Sequence, residues 1–436
     1  MIDAKEKQAT RSGICFSCIY QRASRLRSRQ ISAETRACEL CKAKEKQATR
    51  SGICYAERIK NMDLLELRGK LDEIDEQIVS LYEKRMEISS LVADYKIETG
   101  KKVLDKTREE EKLRAVRSMT HNEFNAHGVQ ELFEQIMSMS RKIQYNKLAQ
   151  QGASGKLPFI GVDKLDVENA RVVFQGAEGA YSQMAMMKYF GEEVNCFHVE
   201  TFRDAMCAIE EGSADYAVLP IENSTAGIVS EIYDLLVEYE NYIVGEQIIK
   251  IEHCLIGLPG TEFDQIKTVY SHPQSLMQSA RYLGAHDDWR QISMQNNAFA
   301  ARKVSEDKDK SQVAIASEQA AKIYGLDILE RGVNQSETNS TRFIIVTNQK
   351  IFLKDAGRVS LCLEVPHESG SLYHMLSHFI YNNLSMTKIE SRPIEGRNWE
   401  YRFFIDFEGN LADGAVKNAL RGLREEARNM KILGNY

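Results

Sequence analysis

One long amphipathic segment, Leu64 to Lys96, constrains the fold of this chain more than any other stretch. Apolar residues recur there in alternating steps of three and four, which is the spacing of a helix with one apolar seam. They are Leu64, Leu67, Leu71, Ile74, Ile78, Leu81, Ile88, Val92 and Tyr95. Arg85 occupies the one step that the pattern would make apolar. Because a buried guanidinium is costly unless it is paired, the seam either opens to solvent at Arg85 or binds an anion there.

Length and composition place the chain among multidomain globular proteins. Its 436 residues suggest about three domains, at roughly 150 residues each. Charged residues make up 28% and hydrophobic ones 43%, and the net charge of -6 gives no indication of a nucleic-acid or membrane partner. Since no apolar run approaches ~18 residues and the N-terminus lacks the apolar region of a signal peptide, we expect a cytoplasmic protein.

The first 61 residues contain a cysteine pattern with two interpretations. Two CxxC pairs have a spacing that suits a four-thiolate zinc site: Cys15, Cys18, Cys38 and Cys41. Against zinc, the segment Ala4 to Cys15 recurs letter for letter at Ala43 to Cys54, and two copies are too few for a structural repeat. We favour the second interpretation, in which residues 1–61 are a disordered or artefactual extension without a metal.

Residues 62–150 are expected to form a small domain of three helices. After the long helix, Asp105 is suited to cap a second one through about Met119, and a third runs from about Gly128 to Ala149. Polar residues stand on the inward faces of these helices at spacings of three and four. Together they form a mostly cationic cluster that is hard to explain as core: Arg85, Lys96, Asp105, Arg108, Glu109, Ser140 and Gln144.

Several short motifs in this region point to one family. They are Leu67-Arg68-Gly-Lys, Ile74-Asp-Glu, Glu83-Lys-Arg85, Lys96 and Asp105-Lys-Thr-Arg108-Glu109. In this order they resemble the all-helical chorismate mutases, and the resemblance implies an intertwined helical dimer. It also implies that Arg85, Arg108, Lys96 and the partner subunit's Arg68 hold the carboxylates and ether oxygen of chorismate. Glu109 and Asp105 would contact its hydroxyl region, and Ser140 and Gln144 would complete the pocket.

The residue types of that pocket suit the reaction that the resemblance implies. The rearrangement of chorismate to prephenate is pericyclic, so it needs neither a nucleophile nor a metal. Fixed cations in a dry pocket hold the dianion in its compact shape and stabilise charge on the breaking ether. A long helix with an apolar seam also requires a partner, which supports a dimer independently of the family.

Residues 151–168 have the composition of a linker, and from residue 169 the pattern changes to short strands alternating with helices. The expected strands are Val172–Phe174, Tyr216–Leu219, Thr268–Tyr270, Val313–Ile315 and Phe343–Val346, and the expected helices are Phe202–Glu211, Gly227–Glu238, Ser275–Leu283 and Asn297–Val304. This alternation predicts α/β lobes whose ligands lie in loops beyond the strand ends. Four polar loops are candidates: Gly176–Ser182, Glu222–Gly227, Ser271–Gln274 and Asn339–Phe343. Their hydroxyls and amides suit a small carboxylate, although several of them are also typical helix caps.

The four loops, in this order and spacing, are similar to those of the prephenate dehydratases, with Thr341-Arg-Phe the most specific element. The resemblance implies a two-lobed α/β domain over residues 169–350, like that of periplasmic binding proteins. It also implies conversion of prephenate to phenylpyruvate, and it makes Thr341 the essential threonine. Because a threonine hydroxyl is a very poor acid, we interpret Thr341 as a hydrogen-bond donor to the leaving oxygen. Arg342 is expected either to bind a carboxylate or to form a structural ion pair. The other pocket candidates are Ser182, Asn223, Ser224, Thr225, His272 and Phe343.

Residues 357–436 show the βαββαβ order of a ferredoxin-like sandwich. With Gly370-Ser-Leu-Tyr373 opening the first helix and Glu390-Ser-Arg-Pro ending the second strand, this part resembles the amino-acid-binding ACT domain. The resemblance implies phenylalanine as effector, with its carboxylate on the amides near Gly370 and its ammonium on Glu390. The residues expected to bind it are Gly370, Ser371, Leu372, Glu390, Ser391 and Arg392. Relatives commonly have a smaller aliphatic residue at the position of Tyr373, which puts the ligand in question, and a dimerisation sheet without a ligand is the alternative.

The sequence therefore predicts a bifunctional chorismate mutase and prephenate dehydratase that is inhibited by phenylalanine. We expect a homodimer or a higher homo-oligomer, with no cofactor. The alternative is an amino-acid-binding regulatory protein whose dehydratase-like domain is inactive. Thr341 in Thr-Arg-Phe favours catalysis over that alternative.

Overall fold

A computed structural model describes residues 63–150 and 157–436 of the chain. The cysteine motifs of residues 1–61 lie outside the described residues, so the structure does not test the zinc prediction. The chain divides into two compact units, Met1–Glu87 and Ile88–Tyr436. The division falls within the first helix.

Three helices make up the described part of the N-terminal region. They are α1 (Leu64–Thr99), α2 (Lys106–Ser118) and α3 (Glu123–Gln150). Asp105 caps α2 as expected, since its side chain accepts from the backbone N–H of Arg108 at 3.1 Å. α3 begins earlier than the sequence pattern indicated, because Asn122 accepts from the N–H of Asn125 at 2.7 Å and so provides a start signal.

The apolar seam of α1 is exposed in the single chain. Leu71, Leu81 and Ile88 keep 58%, 66% and 60% of their surface accessible. The residues of α1 that are buried are Ser89 and Ala93, which lie near its C-terminal end. A contiguous apolar stripe of this size on one helix is typical of a protein–protein contact.

The middle of the chain alternates strands and helices as expected. Its strands are β1 (Ile160–Val162), β2 (Arg171–Gln175), β3 (Asn195–Val199), β4 (Tyr216–Asn223), β5 (Gly227–Ile228), β6 (Tyr242–Lys250), β7 (Cys254–Gly257), β8 (Thr268–Ser271), β9 (Arg290–Ser293), β10 (Gln312–Ala316), β11 (Asp327–Arg331), β12 (Ser340–Thr347) and β13 (Ile351–Leu353). Its helices are α4 (Tyr181–Phe190), α5 (Phe202–Glu210), α6 (Ser230–Glu238), α7 (Pro273–Gln278), α8 (Ala280–Leu283), α9 (Asn297–Asp307) and α10 (Glu318–Tyr324), with a short 3-10 turn at Phe263–Gln265.

All five expected strands of this region lie within observed ones, and two expected helices differ. α6 begins at Ser230 because Gly227 and Ile228 pair with the end of β4 instead. The helix expected over Ser275–Leu283 is two short helices, α7 and α8, which meet at Ser279.

The strands form two lobes. One lobe has the order β6-β12-β4-β2-β3, with β5 paired to β4, and the other has β11-β7-β10-β8-β9. β1 and β13 form a separate parallel pair. Each lobe contains mixed parallel and antiparallel pairs, and the chain crosses between lobes after β6 and again before β12. The ends of β4 and β12 therefore lie where the two lobes meet.

The C-terminal region has the βαββαβ order that the sequence indicated. Its elements are β14 (Arg358–Glu364), α11 (Ser371–Tyr381), β15 (Met386–Pro393), β16 (Tyr401–Glu408), α12 (Gly414–Glu426) and β17 (Asn429–Asn435). The strand order is β15-β16-β14-β17, and each neighbouring pair is antiparallel. Trp399 lies just before β16 and has a φ of 64°, a left-handed conformation that interrupts an extended strand.

The C-terminal sheet continues into the first lobe, since β17 pairs with β6 at Gly434 and Ile243. A Cβ at Gly434 would lie 2.1 Å from the carbonyl oxygen of Ile243, so only glycine permits this approach. Phe404 and Leu433 of the C-terminal region belong to the same buried cluster as Ile232 and Leu236 of α6. Within the described residues, no helix is long and apolar enough to cross a membrane.

Candidate active sites

A cavity of about 440 Å³ lies between the two lobes of the α/β region. The first lobe contributes Thr341 and Asn223, and the second contributes His272 and Gln278. All four polar loops that the sequence singled out contribute residues to the lining of this cavity. The cavity is therefore assembled from the predicted loops.

Thr341 and Asn223 face each other on neighbouring antiparallel strands. They are register partners of β12 and β4, and the Nδ2 of Asn223 donates to the Oγ1 of Thr341 at 2.9 Å. Thr341 is buried, with 9% of its surface accessible, and it lines the cavity. Its hydroxyl accepts this bond, so its own proton is available to a group within the cavity.

The orientation of the Asn223 amide is fixed by the loop that follows it. Its Oδ1 accepts from the backbone N–H groups of Thr225 at 3.0 Å and Ala226 at 2.8 Å. The hydroxyl of Thr225 also donates to this oxygen at 2.7 Å. A flipped amide would place NH₂ against two N–H donors, so the nitrogen must point toward Thr341.

Three further residues complete this network. Asn339 belongs to the predicted loop Asn339–Phe343, whereas the sequence reasoning missed Gln278 and His253. Gln278 donates to Thr225 at 2.8 Å, and its Oε1 accepts from Asn339 at 3.1 Å. The Oδ1 of Asn339 in turn accepts from Asn223 at 2.8 Å, which closes a ring of hydrogen bonds. His253 Nε2 lies 3.0 Å from Gln278 Oε1, and burial lowers the pKa of this histidine, so it is neutral. Gln278 and His253 gave no local signal in the sequence, because their hydrogen-bond partners are distant along the chain. Asn339 stands directly before Ser-Thr-Arg, so its position did give such a signal.

Of the remaining candidate residues in these loops, some line the cavity and others do not. Ser182 donates to the carbonyl of Gln175 at 2.5 Å, and it lines the cavity. His272 lines the cavity too, while its Nδ1 caps α7 by accepting from Gln274 N–H at 3.2 Å, and burial lowers its pKa. Ser224 instead joins β4 to β12, since it donates to Thr338 and accepts from Ser340. Phe343 is buried beneath the cavity.

Arg342 lies on the opposite face of β12 from Thr341. Its guanidinium contacts Glu222 at 2.9 Å, Asp406 at 3.2 Å and Glu246 at 3.3 Å, and the side chain is 10% exposed. It is not among the described residues that line the cavity. Because side chains alternate along a strand, Arg342 points away from the cavity. Of the two roles expected for it, these contacts support the structural ion pair and not the binding of a substrate carboxylate.

In the helical region, Ser140 and Gln144 are buried on α3 as expected, each with 6% of its surface accessible. Ser89 of α1 donates to Ser140 at 3.1 Å, and Ser140 donates to its own helix at Ile136. The Oε1 of Gln144 has no hydrogen-bond partner among the described residues. An unsatisfied buried amide oxygen is costly, so this position is suited to a ligand that donates a hydrogen bond.

Lys96 and Glu109 lie near one another at the junction of α1 and α2. Lys96 donates to the carbonyl of Val103 at 2.5 Å. Burial lowers the pKa of Lys96, and Asp105, Glu109 and Glu425 oppose that shift. Glu109 forms an ion pair with Arg141 at 2.5 Å. The sequence reasoning did not identify Arg141 as a site residue.

The remaining predicted mutase residues differ in their exposure. The side chain of Arg108 is 75% exposed and lies 3.7 Å from Glu111. Asp105 is exposed and is used as the cap of α2. Arg68 is exposed and Arg85 is partly buried, both on the part of α1 that belongs to Met1–Glu87.

The residues expected to bind an effector lie at two places in the C-terminal region. Gly370 has a φ of 80° and precedes α11, while Ser371 and Leu372 line a cavity of about 370 Å³. Glu390 and Ser391 lie on β15, where Arg392 pairs with Asp234 of α6. The described residues lining that cavity do not include these three. Tyr373 is 53% exposed, and its hydroxyl bonds to Gln135 of α3.

Two family models match this chain. The family model for chorismate mutase type II matches residues 67–145, and the model for prephenate dehydratase matches residues 172–351. The chain thus combines a helical mutase domain with an α/β dehydratase domain.

One curated relative and two solved structures show how far the similarity extends. The bifunctional chorismate mutase/prephenate dehydratase of Escherichia coli (strain K12) is 33% identical over 384 residues, covering 86% of this chain and 96% of the relative. A prephenate dehydratase from Arthrobacter aurescens in complex with L-Phe is 26% identical, with a TM-score of 0.57 over 61% of this chain and 89% of that one. A structure described as GqqA, a novel type of quorum quenching acylases, is 32% identical, with a TM-score of 0.56 over 61% of this chain and 97% of that one.

The chain belongs to the family of bifunctional chorismate mutase/prephenate dehydratases. It is an enzyme of phenylalanine biosynthesis that converts chorismate to prephenate and prephenate to phenylpyruvate.

Proposed function

We propose that the cavity between the α/β lobes is the dehydratase site and that Thr341 acts as its central donor. The observation that carries the proposal is the fixed amide of Asn223, which donates to Thr341 and leaves the threonine proton available. Loss of carbon dioxide and the ring hydroxyl of prephenate is driven by formation of the aromatic ring. What the protein must add is a donor to the departing oxygen, and a preorganised hydrogen bond supplies that.

We propose further that Arg85, Lys96, Arg108 and the partner subunit's Arg68 bind the dianion of chorismate in the mutase site. Ser140, Gln144, Asp105 and Glu109 complete this pocket. The unpartnered Oε1 of Gln144 and the exposure of Arg108 support a site that one chain leaves incomplete. The exposed seam of α1 supports a homodimer as the assembly that completes it.

The low pKa of Lys96 gives a testable pH dependence. Because burial lowers this pKa from its ordinary value of 10.5, the ammonium is lost at a lower pH than in a free lysine. Mutase kcat/KM should therefore fall on the alkaline side, beginning below pH 10.5. Lys96→Arg should abolish that alkaline limb, since a guanidinium stays protonated there. If both proteins show the same limb, Lys96 is not the titrating group.

We propose that residues 357–436 form a ferredoxin-like ACT domain that binds phenylalanine and inhibits the dehydratase. The antiparallel order β15-β16-β14-β17 and the left-handed Gly370 before α11 support this reading. The similarity to the Arthrobacter dehydratase in complex with L-Phe supports the choice of ligand. The domain limits 62–150 and 169–350 and a cytoplasmic location complete the proposal.

Inhibition by phenylalanine can be tested on the full chain. Adding phenylalanine should inhibit formation of phenylpyruvate, measured by ultraviolet absorbance. Glu390→Gln should raise the concentration needed by about tenfold to 100-fold, because it removes the charge expected to pair with the ammonium. Glu395→Gln, an exposed glutamate of the same region, is the matched control. The sensing role is wrong if the wild-type chain neither binds phenylalanine in calorimetry nor is inhibited by it.

The two activities themselves are separable in one experiment. Chorismate supplied to the purified chain should yield prephenate and then phenylpyruvate. Prephenate supplied directly should bypass the first site, so a failure of either assay identifies which assignment is wrong.

A further inference from the structure

The two strands that carry Thr341 and Asn223 present a charged cluster on their other face. Arg342 is the register partner of Glu222, next to the pair formed by Thr341 and Asn223. Because side chains alternate across a strand, a residue next to one that faces the cavity faces the opposite side of the sheet. The strand positions of Thr341 and Asn223 therefore depend on what holds Arg342 and Glu222.

The C-terminal domain supplies part of that support. The Nζ of Lys388 on β15 forms an ion pair with Glu222, and its ammonium lies 5.3 Å from the ring centre of Tyr233. Asp406 on β16 contacts Arg342 at 3.2 Å and accepts from Ser360 at 2.5 Å. The cluster is balanced in charge, with Arg342, Lys388 and Arg358 against Glu222, Glu246 and Asp406.

A second contact from the same strand reaches the far side of the Asn223 loop. Arg392 of β15 donates to Asp234 of α6, through Nε at 3.2 Å and through Nη2. The loop from Asn223 to Val229 runs between Glu222 and α6. Lys388 thus contacts the residue just before the loop, and Arg392 contacts the helix that follows it. The backbone amides of this loop orient Asn223.

We propose that Lys388 is a positioning residue for the dehydratase. Together with Arg392, it couples the position of β15 in the C-terminal domain to the positions of Asn223 and Thr341. The inference rests on the proposed function in one respect, since it takes β15 as the strand that carries the effector residue Glu390. Lys388, Glu390 and Arg392 are spaced two apart along β15, so they share a face. A ligand that moves Glu390 then acts on both contacts at once.

Because the cluster is largely buried, its ion pairs are sensitive to the loss of one partner. Lys388 is 17% exposed and Arg342 is 10% exposed. Burial alone would raise the pKa of Glu222, yet hydrogen bonds from Lys388 and Arg342 lower it, so this carboxylate is ionised and depends on both cations. Removing one partner of a buried ion pair leaves the other charge uncompensated, so the strand ends are expected to shift.

The test uses the full-length chain with Lys388→Met, which keeps an unbranched side chain as far as Cε and removes the charged ammonium. We expect dehydratase kcat to fall about tenfold to 100-fold with a smaller change in KM, because the substrate still binds to a site whose donor is misplaced. Inhibition by phenylalanine should be lost while calorimetric binding of phenylalanine persists. Lys388→Arg should restore both kcat and inhibition, which a merely space-filling role would not predict.

Lys417→Met is the matched control, since Lys417 donates to the backbone carbonyl of Ala412 on the surface of the same domain. The proposal is overturned if Lys388→Met keeps the wild-type kcat and inhibition. It is also overturned if phenylalanine binding itself is lost, because Lys388 would then belong to the effector site. If the wild-type chain shows no response to phenylalanine, the effector assignment fails, while the change in kcat still tests the positioning role.

Asp234→Asn provides an independent variant from within the dehydratase domain. It weakens the contact with Arg392 without touching β15. Partial loss of inhibition supports the proposal, and unchanged inhibition removes Arg392 from it. Should Lys388→Met fail to fold, as judged by thermal unfolding, this variant and Lys388→Arg decide the question.

Discussion

Replacing Thr341 with alanine is expected to lower dehydratase kcat by about 10²–10³-fold, the usual cost of deleting one preorganised transition-state donor. The hydroxyl accepts from Asn223 at 2.9 Å, so its own O–H can donate a hydrogen bond to the departing oxygen of prephenate. KM for prephenate should change little, because the interaction forms mainly in the transition state. The mutase activity of the same protein should stay unchanged, which makes it the internal reference for concentration and folding.

Two companion variants sharpen this test. Thr341→Ser keeps a hydroxyl and should recover most of the lost rate. Thr347→Ala is the matched control, since Thr347 is buried at the other end of β12 and its hydroxyl has no hydrogen-bond partner among the described residues. Dehydration that survives Thr341→Ala would show that another group supplies the donor.

The sequence was sufficient for the order of elements and for the residues that line the cavity between the two lobes. Short β-branched runs such as Val313–Ile315 are buried strands, and the polar loops after them meet where the lobes join. The periodicity of apolar residues and the positions of the polar loops are local properties of the chain. They can therefore be inferred from a single sequence. Gln278 and His253 were missed because each is identified by a partner rather than by its neighbours.

Arg342 illustrates a different limit. The sequence left two roles open, since an arginine beside an essential threonine suits either a carboxylate ligand or an ion pair. The choice depends on which face of β12 is covered by the C-terminal domain, and Asp406 comes from a strand far along the chain. Tertiary packing, not the motif, decides the role.

The alternative of a regulatory protein with an inactive dehydratase-like domain is now disfavoured. A binding domain has no need of a threonine whose proton is left available by a fixed amide. The relative from Escherichia coli, covered over 96% of its length, is itself named for both activities.

Replacing Arg85 with alanine is expected to have the largest effect on the other activity, a loss of about 10²–10³-fold or more in mutase kcat/KM. A carboxylate of the dianion would be buried without its cation, which is costly in a dry pocket. The dehydratase should keep its rate with prephenate as substrate. Lys84→Ala, which removes an exposed cation one position away, is the control for a general change in charge.

The Arg85→Ala variant also tests whether each mutase pocket is shared between two chains. Arg68→Ala should abolish mutase activity as well, because the partner subunit's Arg68 is expected to enter each pocket. When the two inactive proteins are mixed and allowed to exchange subunits, each heterodimer contains one pocket with Arg85 from one chain and Arg68 from the other. With random exchange, about a quarter of the wild-type activity should return. If no activity returns although exchange is demonstrated, Arg68 and Arg85 act in the same pocket of one chain, and the exposed seam of α1 requires another explanation.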